Sequence, residues 1–183
     1  MAGGAAGCPL DVRTSYDGGM EGVFVLRPAT ADDDASLARI DYESWSMTTS
    51  PSPRWARSRP FFGAETSTAP ADVLVAQWRD VIVGYVKLRR STVDHGKWRI
   101  TGLAVDEAYR GRGVGRALVE AVIARAAAAG AHTVDLKVLG GNLSALALYR
   151  SLGFVETARV PGRFDLGGVL VDDVTMALGI SPG

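Results

Sequence analysis

Arg110-Gly111-Arg112-Gly113-Val114-Gly115-Arg116 stands between two segments of opposite periodicity. Before it, Trp98 to Val105 (WRITGLAV) is β-branched and aromatic, which predicts a strand. After it, Val114, Leu118, Val122 and Ala126 recur every four positions, which predicts a helix over 114–129 with one buried stripe. Gly130 follows as a C′ glycine should. A strand that reaches a helix through three glycines suits close approach of the backbone to an anion. Glycine accepts positive φ, and the free N–H groups of the first helical turn point outward with the helix dipole behind them. A pyrophosphate fits such a turn, with Arg110, Arg112 and Arg116 adding charge at its rim. The alternative is a tight turn whose arginines serve solubility. Two nucleotide loops do not fit. A Walker A loop needs Gly-Lys-Ser/Thr, whereas Gly115 precedes Arg116-Ala117, and a dinucleotide fingerprint needs a third glycine where Arg116 stands.

Working outward, the remaining periodicities give strands at Val23–Arg27, Asp72–Trp78, Val81–Leu88, Thr133–Val138, Phe154–Arg159 and Asp172–Leu178. Arg79-Asp80 is a tight hairpin turn. A first helix begins near Asp32–Asp34, where carboxylates suit the dipole, and runs to Trp45. Residues 46–62, with Pro51, Pro53 and Pro60, read as loops and a short helix, and Asn142–Ser151 as a helix closed by Gly153. The order is β, α, a ββ hairpin, β, α, β, α, β, β. That predicts the α/β class, a mixed sheet flanked by helices, in one domain over 22–179. Residues 1–21 read as a leader without structure, and 180–183 as a loose tail.

The 183 residues carry 20 Lys plus Arg against 20 Asp plus Glu, and this balance gives no support for nucleic-acid binding. No apolar run approaches the ~20 residues of a membrane helix. Cys8 is the only cysteine, so no internal disulfide can form and a reducing, cytoplasmic setting is expected. Two histidines and one cysteine, far apart in sequence, offer no metal-ligand spacing.

A second segment bears on function: Asn142-Leu-Ser-Ala145-Leu-Ala-Leu148-Tyr149-Arg-Ser-Leu-Gly153-Phe154. Asn142 and Tyr149 are seven apart and share one helix face. Taken alone, Asn142 reads as an N-cap and Tyr149 as packing. Taken together, the two segments resemble the two signatures of the GNAT superfamily of acetyl-CoA-dependent N-acetyltransferases. Arg110-x-x-Gly113-x-Gly115 is similar to the first, and Asn142 to Phe154 to the second, in the expected order and separation.

The resemblance implies a central splayed mixed sheet in which the pantetheine arm of acetyl-CoA lies against the backbone of Leu103, Ala104 and Val105. It assigns the pyrophosphate to Arg110, Gly111, Arg112, Gly113, Val114, Gly115 and Arg116, a cofactor contact to Asn142, and the role of general acid to Tyr149. The acceptor it implies is an amine of a small molecule, an amino-acid derivative or a protein amino terminus. Many members place a glutamate base where this chain has Arg99 or Lys137. Asp94, His95, Asp106 and Asp135 are the nearby candidates, His95 having the most suitable intrinsic pKa. Trp45, Trp55, Phe61 and Phe62 read as core packing or as acceptor contacts, and Arg54, Arg57 and Arg59 as attraction for an acidic acceptor or a solvated face. The missing glutamate also leaves open a non-catalytic, acyl-CoA-binding regulatory module. The C-terminal strands offer an edge for a homodimer.

Overall fold

The computed structural model describes residues 12–14 and 24–180. Among the described residues, eight strands form one open sheet in the order β1-β2-β3-β4-β5-β6-β8-β7. They are β1 (Val12–Thr14), β2 (Phe24–Pro28), β3 (Val73–Trp78), β4 (Val81–Arg90), β5 (Lys97–Val105), β6 (Thr133–Leu139), β7 (Val155–Asp165) and β8 (Leu170–Gly179). The α-helices among the described residues are α1 (Asp34–Ser44), α2 (Val114–Ala128) and α3 (Leu143–Ser151). Every neighbouring pair is antiparallel except β5 and β6, which α2 connects in parallel. The sheet is thus mixed, as the sequence implies.

The strand alternation divides the core in two. On β3, Leu74 and Ala76 face a cluster shared with Val114, Leu118, Val122 and Ala126 of α2, all four of which are buried. Val73 and Val75 face a second cluster with Leu37 and Ile40 of α1 and with Phe61. A strand covered on both faces is apolar along its length, and Val73 to Ala76 are all buried. Gly130 and Gly153 both have positive φ behind their helices, as helix-closing glycines should.

Three features differ from the sequence reading. Val12–Thr14, inside the expected leader, pairs with Phe24–Leu26; the rest of 1–23 and residues 181–183 lie outside the described residues. Residues 46–62 contain turns and no helix, because three prolines remove the donors a helix would need. β7 runs on to Asp165, past Pro161 and Gly162, because its pairing with β8 shifts register between Val160 and Phe164 and so absorbs the proline outside the regular ladder.

The entry to α1 rests on an ion pair. Asp33 accepts from Arg27 Nη1 and Nη2, both at 2.8 Å, and from the Thr30 backbone N–H at 2.8 Å. The Arg27 hydrogen bond, offset in part by burial, holds the Asp33 carboxyl below its usual range. A depressed carboxyl stabilises the fold above its unfolded pKa of about 3.9 and loses that contribution as pH falls through the folded value. Asp33→Asn is therefore expected to cost about 1–3 kcal/mol at pH 7. In urea unfolding, the gap between variant and parent should narrow from pH 7 to pH 3.

Candidate active site

β5 and β6 form a fork. Their parallel pairing runs from Lys97↔Thr133 to Ile100↔Leu136 and ends there. Beyond that point β5 stays with β4 up to Val105, and β6 stays with β8 up to Leu139. The edge of β5 that faced β6 is left open over Thr101 to Val105. A bulge marks the start of the split: Lys87 pairs with Gly102 and Leu88 with Ile100, so Thr101 is extra. Bulges re-aim side chains and end pairings beside functional sites. Here the bulge turns Leu103 and Val105 toward the α2 cluster and Ala104 toward the α1 cluster.

The glycine turn lies at the open end of the fork. Gly111 and Gly113 have φ of +71° and +78°, so both use the freedom that only glycine has without strain. The first bond into α2 runs from Ala117 N–H to the Gly113 carbonyl. Among the described residues, the N–H groups of Gly111 through Arg116 have no acceptor. Six consecutive donors without an acceptor at the start of a 15-residue helix make a nest of the kind that suits an anion.

Gly115 is the point of convergence. A Cβ there would lie 3.7 Å from Leu148 Cδ2, 3.7 Å from Val105 Cγ2 and 4.0 Å from Leu103 Cδ2. The first turn of α2, the end of β5 and α3 therefore meet around one residue, and this brings the two motif segments together. Arg116 ties the helices with Nη2 at 2.7 Å from Ser151 Oγ. Arg110 donates through Nε to the Val105 carbonyl at 3.1 Å and so steadies the tip of β5. Arg112 lies over the Tyr109 ring.

On α3, Asn142 Oδ1 accepts from Ala145 N–H at 3.2 Å, the N-cap that its residue type suggested. Tyr149 is buried in the α2 cluster with its ring 5.7 Å from Phe154. Its hydroxyl makes no hydrogen bond among the described residues, and burial pushes its pKa up to about 12. The phenol therefore keeps its proton throughout the physiological range.

The sequence-based candidates for a base are not gathered here. Asp94 and His95 precede β5, at the opposite end from the glycine turn, and Asp94 bonds His132 Nε2 at 3.1 Å. Asp135 is buried in a bidentate pair with Arg99 at 2.6 and 2.8 Å, with Lys97 at 3.2 Å. Burial raises its pKa, but these partners outweigh burial and hold the carboxyl below its usual range. Lys137 pairs with Asp173 at 2.7 Å, and Asp106 with Arg39 at 2.8 Å. These acids are committed to partners.

The sequence reading passed over three groups on the α1 face. Tyr85 pairs across the ladder with Ala104, and Lys87 with Gly102, so both lie level with the fork. The Tyr85 hydroxyl donates to Asp41 of α1. The signal available was the period-two spacing of Tyr85 and Lys87, which puts both on one sheet face. Phe61 packs in the α1 core, whereas Trp55 is largely exposed.

Among the described residues, no three His, Cys, Asp or Glu groups cluster to hold a metal, and no helix is long and apolar enough to cross a membrane.

Residues 35–154 match the model of the Acetyltransferase (GNAT) family. A ribosomal-protein alanine N-acetyltransferase of Escherichia coli is 39% identical over 79 residues, which span 43% of this chain and 53% of that one. An L-methionine sulfoximine/L-methionine sulfone acetyltransferase of Pseudomonas aeruginosa is 32% identical over 93 residues, 51% of each chain. The chain thus spans about half the length of these curated relatives. The fold is shared with a phosphinothricin acetyltransferase from Sinorhizobium meliloti solved with acetyl-CoA. The TM-score is 0.69 at 22% identity, covering 87% of this chain and 90% of that one.

Proposed function

Since the chain belongs to the acetyltransferase (GNAT) family, we propose that it moves an acetyl group from acetyl-CoA to an amine within a single domain over 22–179. The observation that carries this reading is the convergence at Gly115 of the fork, the donor nest and the Tyr149 helix. The open edge of β5 at Leu103, Ala104 and Val105 receives the pantetheine arm as an added strand would. The N–H groups of Gly111 to Arg116 take the pyrophosphate, with Arg112 and Arg116 at the rim. Asn142 fixes the start of α3 beside the arm.

The thioester is already activated, so the chain supplies positioning and charge stabilisation. The neutral amine attacks the carbonyl and forms the C–N bond, and a backbone N–H at the tip of β5 steadies the oxyanion. The C–S bond breaks as Tyr149 protonates the departing thiolate, and the proton shed by the amine passes through solvent to the tyrosinate. Desolvation raises the pKa of the phenol, and it raises that of a thiolate in the same pocket too, so transfer between them stays feasible. A cytoplasmic setting goes with the single Cys8.

The test follows free-thiol release from acetyl-CoA over a panel of amines. Amine-dependent release well above the buffer rate is expected. Binding without release from any amine would favour the regulatory module, a reading that rests on Arg99 and Lys137 being ion-paired where the resemblance expects a base.

The nest gives a further prediction. Gly113→Val forces a β-branched residue to positive φ at a cost of about 1–2 kcal/mol or more. The affinity for acetyl-CoA should fall by about 10-fold or more, as measured by calorimetry.

A further inference from the structure

The α1 face holds a cavity of about 240 Å³ between α1, the 55–66 segment and β4. Aromatic walls come from Tyr42, Trp55 and Phe61, and charge comes from Asp41, Arg59, Glu65 and Lys87. Its floor is at the fork, because Lys87 lies across Gly102: a Cβ on Gly102 would meet Lys87 Cε at 2.6 Å. Lys87 thus reaches from the cavity over the backbone of β5 at the start of the fork.

The cations in this cavity are poorly matched. Lys87 is mostly buried, and its Nζ makes no hydrogen bond among the described residues. Its closest carboxylate oxygen, Asp41 Oδ1, is 3.9 Å away and already accepts from the Tyr85 hydroxyl. The other neighbours of Nζ are the ring faces of Phe61 at 5.1 Å and Tyr85 at 5.8 Å. Arg59 stacks on Trp55 at 3.8 Å and spends one N–H on the Glu65 carbonyl. Burial lowers the pKa of Lys87, Asp41 opposes it, and Arg59 adds a smaller lowering. Lys87 and Arg59 line one aromatic-walled space with Asp41 and Glu65. Among the described residues neither has a hydrogen bond to a carboxylate there, and a bound carboxylate would give both a closer partner.

We propose that the acceptor is a small amine bearing a carboxylate, of the α-amino-acid class, whose carboxylate is held between Lys87 and Arg59 while its side chain lies against Tyr42, Trp55 and Phe61. This rests on the acetyl-transfer reading and narrows it. The volume falls below the ~300–1,000 Å³ of drug-sized ligand sites, which favours an acceptor of amino-acid size over a folded protein terminus. A site built around a charged group discriminates strongly against analogues that lack it, because its own buried polar groups are then left unpaired.

The experiment uses the full chain with acetyl-CoA. Thiol release is compared for the twenty L-amino acids and methionine sulfone, each against its C-terminal amide, and binding of each to the acetyl-CoA complex is followed by calorimetry. At least one free acid is expected to exceed its amide by about 100-fold or more in kcat/KM. Lys87→Met and Arg59→Gln should each erase most of that preference by raising KM, with acetyl-CoA affinity unchanged. Arg59 lies on a partly exposed loop, so its variant keeps the test open should Lys87→Met fail to fold. Equal use of acids and amides, or no acid bound or turned over while acetyl-CoA binds, would overturn the inference and leave the acetyl-CoA site standing. Failure to bind acetyl-CoA at all would instead overturn the reading beneath it.

Discussion

Tyr149→Phe is expected to lower kcat by about 10²–10⁴-fold, the usual contribution of a positioned general acid. The change removes one oxygen and keeps the ring. The ring packs against Phe154 in the α2 core, so the fold should be retained. The hydroxyl has no protein partner among the described residues, so no hydrogen bond is broken and no acceptor is stranded. Acetyl-CoA affinity should therefore stay within a few-fold of the parent. Calorimetry and single-turnover thiol release on the same preparation separate the two quantities. Loss of kcat at constant affinity is the signature of an interaction made only in the transition state. A variant with parental turnover would remove Tyr149 from the chemistry.

Trp98→Ala is expected to cost about 3–5 kcal/mol, the range for truncating a large core aromatic. Trp98 is 2% exposed and pairs with Val134 in the parallel ladder below the fork. The guanidinium of Arg90 lies 4.7 Å from its ring. Truncation opens a cavity at the one place where β5 and β6 are joined. Against a typical total stability of about 5–15 kcal/mol, that loss is large. Urea unfolding gives the check. A cost below about 1 kcal/mol would mean that the hinge of the fork is held elsewhere.

The architecture was legible where periodicity was strong. The four-residue recurrence in α2 and the β-branched runs of β3, β4 and β6 name their own faces. The glycine turn was legible because three glycines between a strand and a helix point to a backbone that few residues adopt, and Gly111 and Gly113 do have positive φ. β1 was not, because Val12-Arg13-Thr14 is too short to show a period. The far half of β7 was hidden because Pro161 and Gly162 argue against a strand, and only the shifted register with β8 admits them. The identity of a base was not legible: Asp94 and His95 precede β5 at the end away from the glycine turn, and only the fold shows Asp106 and Asp135 paired with Arg39 and Arg99. The α1-face cavity was legible in part: Trp55, Phe61 and Arg59 stand out in the sequence as acceptor contacts, whereas Asp41 and Lys87 come from two other segments and join them only through the strand pairing and the packing of α1.

The proposed site for acetyl-CoA is the nest from Gly111 to Arg116 with the fork beside it. Calorimetric titration of the purified chain with acetyl-CoA, and separately with ATP, tests it most directly. One acetyl-CoA per chain, weakened by Gly113→Val and not displaced by ATP, is the predicted result. Tight ATP binding with no binding of acetyl-CoA would contradict it.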